Sequence, residues 1–323
     1  MEYARKILVT GGAGFIGSNY LNKYVPLYPD YFFINVDMLT YAGRLENIHV
    51  SKNSNYIFEK EDIRDIAMLQ SVFKKHKPTD IIHFAAETHV DRSIDGPSIF
   101  VETNVIGTHN LLILALEHKI QRFLHVSTDE VYGSLAEADK PFNTSSLLSP
   151  NSPYSASKAG SDMLVRSYNK TYGLNTIITR CSNNYGPYQD ESKLIPKAIL
   201  NALRGKEIPV YGRGENIRDW IYVEDHIDAL DTAFHKGLSG KVYNVGGNSE
   251  VRNIEIVKKL LSMLGKNESL IEFVADRKGH DWRYAIDNQE IEKELGWKPK
   301  INLEKGLART VEFFKKANLD SAK

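Results

Sequence analysis

The stretch TGGAGFIGS, from Thr10 to Ser18, decides the fold. It follows the apolar run KILVT directly and opens a helical segment. Its glycines, Gly11, Gly14 and Gly17, allow the chain to turn tightly and let the backbone approach a pyrophosphate at the N-terminus of the helix. The stretch therefore predicts a dinucleotide-binding loop. The alternative is a glycine turn needed only to pack the helix on the sheet.

An acidic residue at the next strand end indicates which dinucleotide the loop binds. Asp37 ends the apolar run FFINVD, about 20 residues after Gly17. A carboxylate at this position accepts hydrogen bonds from the adenosine ribose hydroxyls and repels a 2′-phosphate. We therefore expect NAD rather than NADP.

The first half of the chain alternates strand-like runs with helix-like segments. The predicted strands are KILVT (6–10), FFINVD (32–37), YIFEKED (56–62), DIIHFAA (80–86), RFLHVST (122–128) and NTIITR (175–180). Between them, the apolar residues of 98–119 and 154–173 recur at helical spacing. The alternation predicts an α/β fold with a doubly wound parallel sheet of the Rossmann type, covered by helices on both faces.

Beyond Cys181 the pattern changes, because prolines and glycines separate shorter elements. This change predicts a smaller C-terminal substrate-binding lobe. The run VYNVGG (242–247) is typical of another buried strand that returns to the sheet. We expect an NAD-binding domain with the catalytic residues over 1–181, a returning segment of about 219–247, and a lobe over 182–323.

Composition excludes several other classes of protein. The chain of 323 residues is 42% hydrophobic and 25% charged, as in ordinary soluble globular proteins. Lys plus Arg equals Asp plus Glu at 41 each, so no broad surface for nucleic acid is expected. The single Cys181 excludes an intramolecular disulfide framework. We see no signal peptide and no apolar run that approaches the length of a membrane span, so we expect a cytoplasmic protein.

Two more strand ends are expected at the ligand crevice. In a doubly wound sheet, ligands bind outside the carboxyl ends of the strands. The residues at the carboxyl ends of the third and fourth predicted strands are Asp62, Ile63, Phe84, Ala85, Ala86 and Glu87.

The stretch YSASKA places a tyrosine and a lysine four residues apart, at Tyr154 and Lys158. Residues at this spacing lie on one face of a helix. The ammonium group would then stabilise the phenolate and lower the pKa of the phenol, which makes Tyr154 a general base for an alcohol that loses hydride. The alternative is an aromatic residue and a surface lysine on an amphipathic helix.

The stretch HVSTDEVYG, from His125 to Gly133, puts two carboxylates side by side. Successive residues of a strand point to opposite faces, so Asp129 and Glu130 can face one ligand only if the strand ends near Thr128 and the chain bends. The alternative is a helix cap or an exposed charged turn.

These motifs carry a resemblance over nearly the whole chain. TGGAGFIG together with YSASK resembles the extended short-chain dehydrogenase/reductase superfamily. The finer pattern is similar to the dTDP-glucose 4,6-dehydratase family, in the segments STDEVYG, AAETHVDRSI, RCSNNYGPYQ, KLIPKAI, ENIRDWIYVEDH and GHDWRYAID. Sugar 4-epimerases of the superfamily usually lack the Asp-Glu pair that follows the Ser-Thr step.

The resemblance implies a lyase reaction on a nucleotide sugar. Oxidation at C4 makes the C5 hydrogen acidic and the C6 hydroxyl a β leaving group. Elimination then requires one base and one acid at neighbouring carbons. By family analogy Tyr154 takes the O4 proton, Asp129 is the acid, Glu130 is the base, and Thr128 bonds the reacting hydroxyl. The enone takes the hydride back at C6, so NAD is recycled.

The resemblance also implies the binding residues. For NAD they are Gly11, Gly14, Phe15, Ile16, Gly17, Asp37, Thr40, Asp62, Ile63, Phe84, Ala85, Ala86, Glu87, Thr103, Tyr154, Lys158 and Asn184. For dTDP-glucose they are Thr88, Thr128, Asn183, Lys193, Leu194, Pro209, Tyr211, Arg218, Asn253, Asp276, Arg277, His280 and Asp281. The family loop commonly has proline at the position of Lys278, and this departure affects the expected loop conformation.

Three alternative functions are open for the chain. The chain is a nucleotide-sugar 4,6-dehydratase, a 4-epimerase, or a non-catalytic NAD-binding regulatory protein. We expect a homodimer through the helices at 98–119 and 154–173, as in relatives, and no metal site, because His89, His226 and His280 lack ligand spacing. A pocket separates thymine from uracil by only about 1 to 3 kcal/mol, so the residues leave the base open.

Overall fold

The computed structural model describes residues 3–320. The ends of the two expected domains, 1–2 and 321–323, lie outside the described residues. Within this range the chain forms twelve strands: β1 Arg5–Thr10, β2 Tyr31–Val36, β3 Tyr56–Glu59, β4 Asp80–His83, β5 Arg122–Thr128, β6 Thr176–Cys181, β7 Asn183–Tyr185, β8 Ile208–Tyr211, β9 Ile217–Tyr222, β10 Val242–Val245, β11 Glu250–Arg252 and β12 Ile271–Val274.

Eleven α-helical segments accompany the strands in the same range: α1 Phe15–Leu27, α2 Ile66–His76, α3 Val90–Asp95, α4 Ser98–Phe100, α5 Thr108–Glu117, α6 Pro153–Tyr172, α7 Leu194–Leu203, α8 Val223–Lys236, α9 Asn253–Leu264, α10 Gln289–Leu295 and α11 Leu303–Asp320. A π-helical segment, Val101–Gly107, joins α4 to α5.

The central sheet has seven strands in the order β10-β6-β5-β4-β1-β2-β3. All of its pairings are parallel. Separate clusters of buried apolar side chains cover its two faces. The expected α/β fold with a doubly wound Rossmann-type sheet is therefore confirmed. The strand order reverses between β1 and β4, which is where such sheets bind ligands.

The predicted strands agree with the structure to different extents at their carboxyl ends. RFLHVST coincides with β5 residue for residue. YIFEKED is a strand only to Glu59, and DIIHFAA only to His83. Asp62 and the residues from Phe84 to Glu87 consequently lie in loops beyond the carboxyl ends of β3 and β4. The run VYNVGG forms β10, which pairs with β6.

One helical segment differs from the sequence-based expectation about membranes. Ser98–Glu117 is long and apolar enough to cross a membrane by length and composition, with a mean hydropathy of 1.5. The expectation that no apolar run approaches this length is therefore wrong. Half of the segment is buried in the fold. Buried polar residues on it bond inside the protein: Asn104 to Glu87, and Thr108 to His83.

The lobe contains two small sheets, β11-β9-β7 and β12-β8. Its own apolar cluster joins α7, α9 and α11 to these strands. Within the segment expected to return to the main sheet, β9 belongs to the lobe, whereas α8 packs under the main sheet and β10 extends it. α10 also contributes Ile291 to the main cluster. The domain division stays a prediction.

Candidate active site

The glycine loop lies at the switch point of the sheet, between the ends of β1 and β4. Gly11 has φ +71°, and a Cβ there would lie 2.5 Å from the backbone nitrogen of Ala85. A Cβ on Gly17 would lie 2.4 Å from the carbonyl oxygen of Gly11. Only glycine permits these approaches. The loop therefore leaves a backbone cradle before Phe15, the first residue of α1, and this cradle fits a dinucleotide pyrophosphate.

Asp37 follows β2 and is attached to the same loop. Its carboxylate accepts hydrogen bonds from the backbone N–H of Ala13, at 3.0 Å, and of Leu39, at 2.8 Å. Burial raises the pKa of Asp37, and these two bonds partly offset that rise. The contacts fix a carboxylate beside the cradle, where a ribose is expected. Thr40 is exposed beyond it.

Among the other expected cofactor residues, some are held by backbone hydrogen bonds and one is held by an ion pair. Phe84 and Ala85 are hydrogen-bonded to Thr10 at the end of β1. Glu87 is fixed by Asn104, which bonds both its N–H and its C=O. Asp62, in contrast, is engaged by Arg64 at 2.7 Å. Burial opposes ionisation of Asp62, but the Arg64 hydrogen bonds hold its pKa below the usual value.

The remaining members of the expected cofactor set have different surroundings, and their assignment to NAD stays a prediction. The described contacts place Ile63 in the core against Gly107. Thr103 is half-buried in the π-helical segment. Asn184 accepts a hydrogen bond from Nδ1 of His226 at 2.8 Å, in the tautomer that donates from that nitrogen. Ile16 and Ala86 are also half-buried.

The two acids of HVSTDEVYG lie on a single turn, Asp129–Tyr132, which we name the acid turn. It is a 3₁₀ turn that begins where β5 ends, and the Thr128 hydroxyl accepts a hydrogen bond from the Glu130 N–H at 3.3 Å. The chain therefore bends at the residue that the sequence requires. Gly133, with φ +91°, ends the turn against Ser149. The helix-cap alternative is also partly realised, because Thr128 caps the turn.

Burial and neighbouring charges affect the pKa values of the two acids differently. Asp129 is 2% exposed, and burial followed by repulsion from Glu130 raises its pKa well above the ordinary value. Burial also raises the pKa of Glu130, but three cations, Arg277, Lys193 and Arg218, oppose that rise. Burial thus favours the neutral form of Asp129, whereas the cations favour the ionised form of Glu130, and this difference suits one proton donor and one proton acceptor.

Tyr154 and Lys158 lie on α6 as expected, but their relationship differs from the expectation. The Lys158 ammonium donates to the Val126 carbonyl oxygen at 2.8 Å. Burial first, and then the charge of Glu130, raise the pKa of Tyr154 well above its ordinary value. The expected lowering of that pKa by Lys158 is therefore wrong for this structure. Burial also lowers the pKa of Lys158 to about 8.

Arg218 on β9 is a buried guanidinium, 3% exposed, that lies in the lobe facing the acid turn. Its hydrogen bonds go to the backbone carbonyls of Ile217, Trp282 and Asp281, and its guanidinium lies over the ring of Tyr284 at 4.3 Å. Carbonyls supply no compensating charge. Such a group is suited to an anionic ligand.

Lys193 and two asparagines belong to the same side of the crevice. The Lys193 ammonium donates to the Thr88 carbonyl oxygen at 3.1 Å, which joins the lobe to the loop after β4. The side-chain oxygens of Asn183 and Asn253 are buried without a partner among the described residues. Leu194 and Pro209 are half-buried at the start of α7 and within β8.

The loop from Asp276 to Asp281 is held at both of its ends. Asp276 bonds the ring of His280 at 2.6 Å, and Asp281 accepts from Asn151 at 2.6 Å. Lys278 replaces the proline of the family, and the loop turns at Gly279 with φ +63°. The assignment of the substrate-binding residues to one site stays a prediction.

Asp91, which was not among the residues expected from the sequence, links the loop after β4 to the lobe. Its carboxylate accepts from the hydroxyl of Tyr211 at 3.2 Å and lies 3.6 Å from Arg277. The signal was present, because Asp91 belongs to the segment AAETHVDRSI. Asn104 was missed as well, because nothing in the sequence indicates a π-helical segment there.

Comparison with known proteins agrees with this geometry. The family model described as GDP-mannose 4,6 dehydratase matches residues 8–310. A dTDP-glucose 4,6-dehydratase of Shigella flexneri is 49% identical over 334 residues, covering 96% of this chain and 92% of the relative. The crystal structure of a dTDP-glucose 4,6-dehydratase from Streptomyces venezuelae with NAD bound is 47% identical, with a TM-score of 0.93, and the match covers 96% and 97% of the two chains.

Similarity to an epimerase is weaker in sequence. A UDP-glucose 4-epimerase of Thermotoga maritima, solved with UDP-glucose, is 33% identical with a TM-score of 0.90, over 97% of this chain and 99% of that one. The backbone alone therefore does not separate the two activities. The length of the family match and the near-half identity of the relatives mean that the chain belongs to the GDP-mannose 4,6 dehydratase family.

Proposed function

We propose that this protein is an NAD-dependent dTDP-glucose 4,6-dehydratase, a lyase that forms dTDP-4-keto-6-deoxyglucose. The observation that carries the proposal is the acid turn, which has Asp129 and Glu130 near enough to Tyr154 for their charges to raise its pKa. A 4-epimerase would need the oxidation at C4 but neither acid. A non-catalytic NAD-binding protein would need none of these three side chains.

The glycine loop and Asp37 would hold NAD, because the backbone cradle and the tethered carboxylate fit the pyrophosphate and a ribose without a 2′-phosphate. When bound, NAD supplies the chemistry that the side chains lack, taking hydride from C4 of the sugar and returning it to C6. Lys158 is held by its hydrogen bond to the Val126 carbonyl oxygen, next to the strand that ends at Thr128.

Tyr154, in its ionised form, would take the proton of O4 during the oxidation, so its phenol must first lose its own proton. Its hydrogen bond with Thr128 lowers the pKa of the phenol, whereas burial and the charges of Glu130 and Asp129 raise it. Tyr154 therefore binds a proton strongly once it has received one. Thr128 also contacts both acids, through the 3.3 Å bond from the Glu130 N–H and a 3.4 Å bond to Asp129.

The elimination uses the difference between the two acids. Glu130, whose ionised form Arg277 and Lys193 favour, takes the proton from C5 and gives a proton back to C5 when hydride returns to C6. Asp129, held neutral by burial, gives its proton to the departing O6 hydroxyl, which leaves as water. The order agrees with general acid and base catalysis, in which each group starts in the protonation state that its step requires.

The nucleotide diphosphate would bind on the lobe side. Arg218 offers a guanidinium without a carboxylate partner, and Lys193 and Arg277 add charge around the same crevice. Asn183 and Asn253 have free acceptor oxygens for the remainder of the ligand. The match to dTDP-sugar enzymes favours thymine over uracil as the base.

We further propose a cytoplasmic homodimer. Its interface would be formed by the outer faces of the helices from Ser98 to Glu117 and of α6, where Val101, Ile106 and Met163 expose apolar side chains.

The decisive experiment incubates the purified protein and NAD with dTDP-glucose and, separately, with UDP-glucose. The proposal predicts a product from dTDP-glucose that has lost one water and carries a ketone at C4. Conversion to an isomer of unchanged mass would instead identify a 4-epimerase. No reaction with either sugar would contradict both enzymatic assignments.

A further inference from the structure

A buried ion pair lies beneath the crevice and takes no part in the proposed chemistry. Nε of Arg180, on β6, donates to Oδ2 of Asp162 at 2.8 Å. The two side chains are 4% and 0% exposed. Asp162 lies on α6, one turn after Lys158, so the pair ties β6 to the helix that carries Tyr154.

The other end of the Arg180 guanidinium contacts the acid turn. Its NH1 donates to the hydroxyl of Tyr132 at 2.8 Å, and its Cζ lies 4.8 Å from the centre of the Tyr132 ring. Tyr132 is the last residue of the acid turn. Its own hydroxyl donates to Oδ1 of Asn244, on β10, at 2.8 Å. One guanidinium thus bonds both the helix of Tyr154 and the turn of the acids.

We propose that Arg180 and Tyr132 are positioning residues that hold the acid turn in register with α6, so that elimination can follow oxidation on the same sugar. This inference rests on the proposed function. The ion pair would then align α6 and the acid turn, which come from different parts of the chain.

The acid turn needs this support because its own hydrogen bonds are long. Thr128 and Glu130 are joined at 3.3 Å, and the Gly133 N–H reaches the Glu130 carbonyl at 3.3 Å. Both distances lie at or beyond the upper end of ordinary hydrogen bonds. Apart from these, the Ser149 N–H bonds the Val131 carbonyl at 3.1 Å. On the core side, where Val131 is also buried, Tyr132 adds the hydrogen bonds of its hydroxyl with Arg180 and Asn244.

The chemistry of arginine suits this role. A planar guanidinium donates in two fixed directions at once, whereas the lysine ammonium is a point charge. A buried ion pair is weak evidence of stability, since well-packed apolar residues are often as stable. Fixing a register is the best attested use of such a pair. Here the register that matters is the one between Tyr154 and the two acids.

The expected defect is selective for one step. Oxidation depends on Tyr154 and on the glycine loop, neither of which contacts Tyr132. Elimination depends on where the acid turn places Asp129 and Glu130. A misplacement of about 1 Å costs on the order of a hundredfold in rate, so loosening the turn should slow elimination and leave oxidation intact.

The test uses Tyr132→Phe with NAD bound, and Tyr243→Phe is the matched control. Tyr243 is also a buried tyrosine, on β10 of the main sheet. Its hydroxyl likewise accepts one bond, from the Leu238 N–H, and donates one, to Glu294. In a single turnover of dTDP-glucose, oxidation at C4 and loss of water are measured separately. We expect water loss to slow about tenfold or more relative to oxidation in Tyr132→Phe, and an unchanged ratio in the control.

Two further measurements keep the inference independent of substrate and of folding. Amide hydrogen exchange of residues 129–133 should accelerate in Tyr132→Phe and not in Tyr243→Phe. Arg180→Lys, which keeps the charge but not the fork, should show the same selective loss. If the unmodified protein releases no water from dTDP-glucose, the proposed function fails and the exchange comparison still decides the positioning role. Equal step ratios and equal exchange in the two tyrosine variants would overturn the inference.

Discussion

The hydroxyl of Thr128 accepts a hydrogen bond from the backbone N–H of Glu130, 3.3 Å away, at the residue where β5 ends. On a continued strand, Asp129 and Glu130 would point to opposite faces of the sheet. The bond instead starts a 3₁₀ turn, in which Asp129 is buried and Glu130 half-buried, and the charges of both act on Tyr154. The pairing of acid and base therefore depends on how this strand terminates.

Cofactor preference should depend on Asp37. The change Asp37→Arg removes the carboxylate that holds the Ala13 and Leu39 N–H groups and faces the expected ribose. We expect the Kd for NAD to rise by about tenfold to a hundredfold, since hydrogen bonds to charged groups contribute about 1.5–3 kcal/mol. NADP binding should improve. Fluorescence titration of both cofactors measures this, and equal affinity of the unmodified protein for NAD and NADP would contradict the assignment.

Nucleotide affinity should depend on the buried guanidinium of Arg218. In Arg218→Lys the planar fork is lost, and we expect dTDP to bind about tenfold to a hundredfold more weakly. Arg283→Lys is the matched control, because that guanidinium is already paired with Glu250 at 2.6 Å. Calorimetric titration with dTDP compares the variants. Similar losses in both would mean that Arg218 has no special role.

The buried ammonium group of Lys158 should reduce the stability of the folded protein. Burial lowers its pKa to about 8 from 10.5, so between these values the unfolded chain binds more protons and stability rises with pH. Below pH 8 the full cost of the buried charge applies. Lys158→Met removes this cost but leaves the Val126 carbonyl without its donor, so we expect a net gain near neutral pH of about 1–2 kcal/mol and no activity.

The pH dependence provides the control for this prediction. The advantage of Lys158→Met should shrink as pH rises through the window from about 8 to 10.5, because the unmodified protein then gains stability by releasing the proton. Urea unfolding of cofactor-free protein at several pH values measures the difference. If the difference in unfolding free energy between the two proteins does not vary with pH, the pKa of Lys158 is not lowered by burial.

The proposed homodimer should depend on exposed apolar residues of two helical segments. Ile106 is 48% exposed and Met163 is 43% exposed. The double change Ile106→Glu and Met163→Glu should give a monomer by light scattering at micromolar concentration, because a dimer interface would bury both charges. Phe273→Glu, at an exposed site in the lobe, should leave the mass unchanged. A monomeric unmodified protein would refute the dimer.

Sequence alone predicts the fold and the members of the site because both follow local rules. RFLHVST matches β5 residue for residue, because its apolar residues form a buried strand. TGGAGFIG forms its tight turn because a Cβ at Gly11 or Gly17 would clash with the backbone. Burial of the lobe residues depends instead on contacts between distant parts of the chain. The link from Asp91 to Tyr211 joins residues far apart in sequence.

The electrostatics of the site could not be predicted in the same way. Spacing places Tyr154 and Lys158 on one face of a helix, but it does not say which group the ammonium contacts. In the structure that group is the Val126 carbonyl, and burial dominates the pKa of the phenol. Likewise, the three cations around Glu130 come from three separate segments of the lobe.

The central claim is that Glu130 is the base at C5 and Asp129 the acid at O6. Each amide variant, Glu130→Gln and Asp129→Asn, should leave oxidation at C4 possible and reduce overall turnover by about 10² to 10⁴. In Asp129→Asn the base survives, so exchange at C5 should outpace loss of water from C6. Saturating dTDP-glucose removes effects on binding from the comparison.

The most direct measurement is exchange of the C5 hydrogen with deuterated water in Glu130→Gln, followed by mass spectrometry of the recovered sugar nucleotide. The account predicts that reduced nicotinamide appears, since C4 is oxidised, while C5 takes up little deuterium. Free exchange at C5 in this variant, or turnover equal to that of the unmodified protein, would contradict the role given to Glu130.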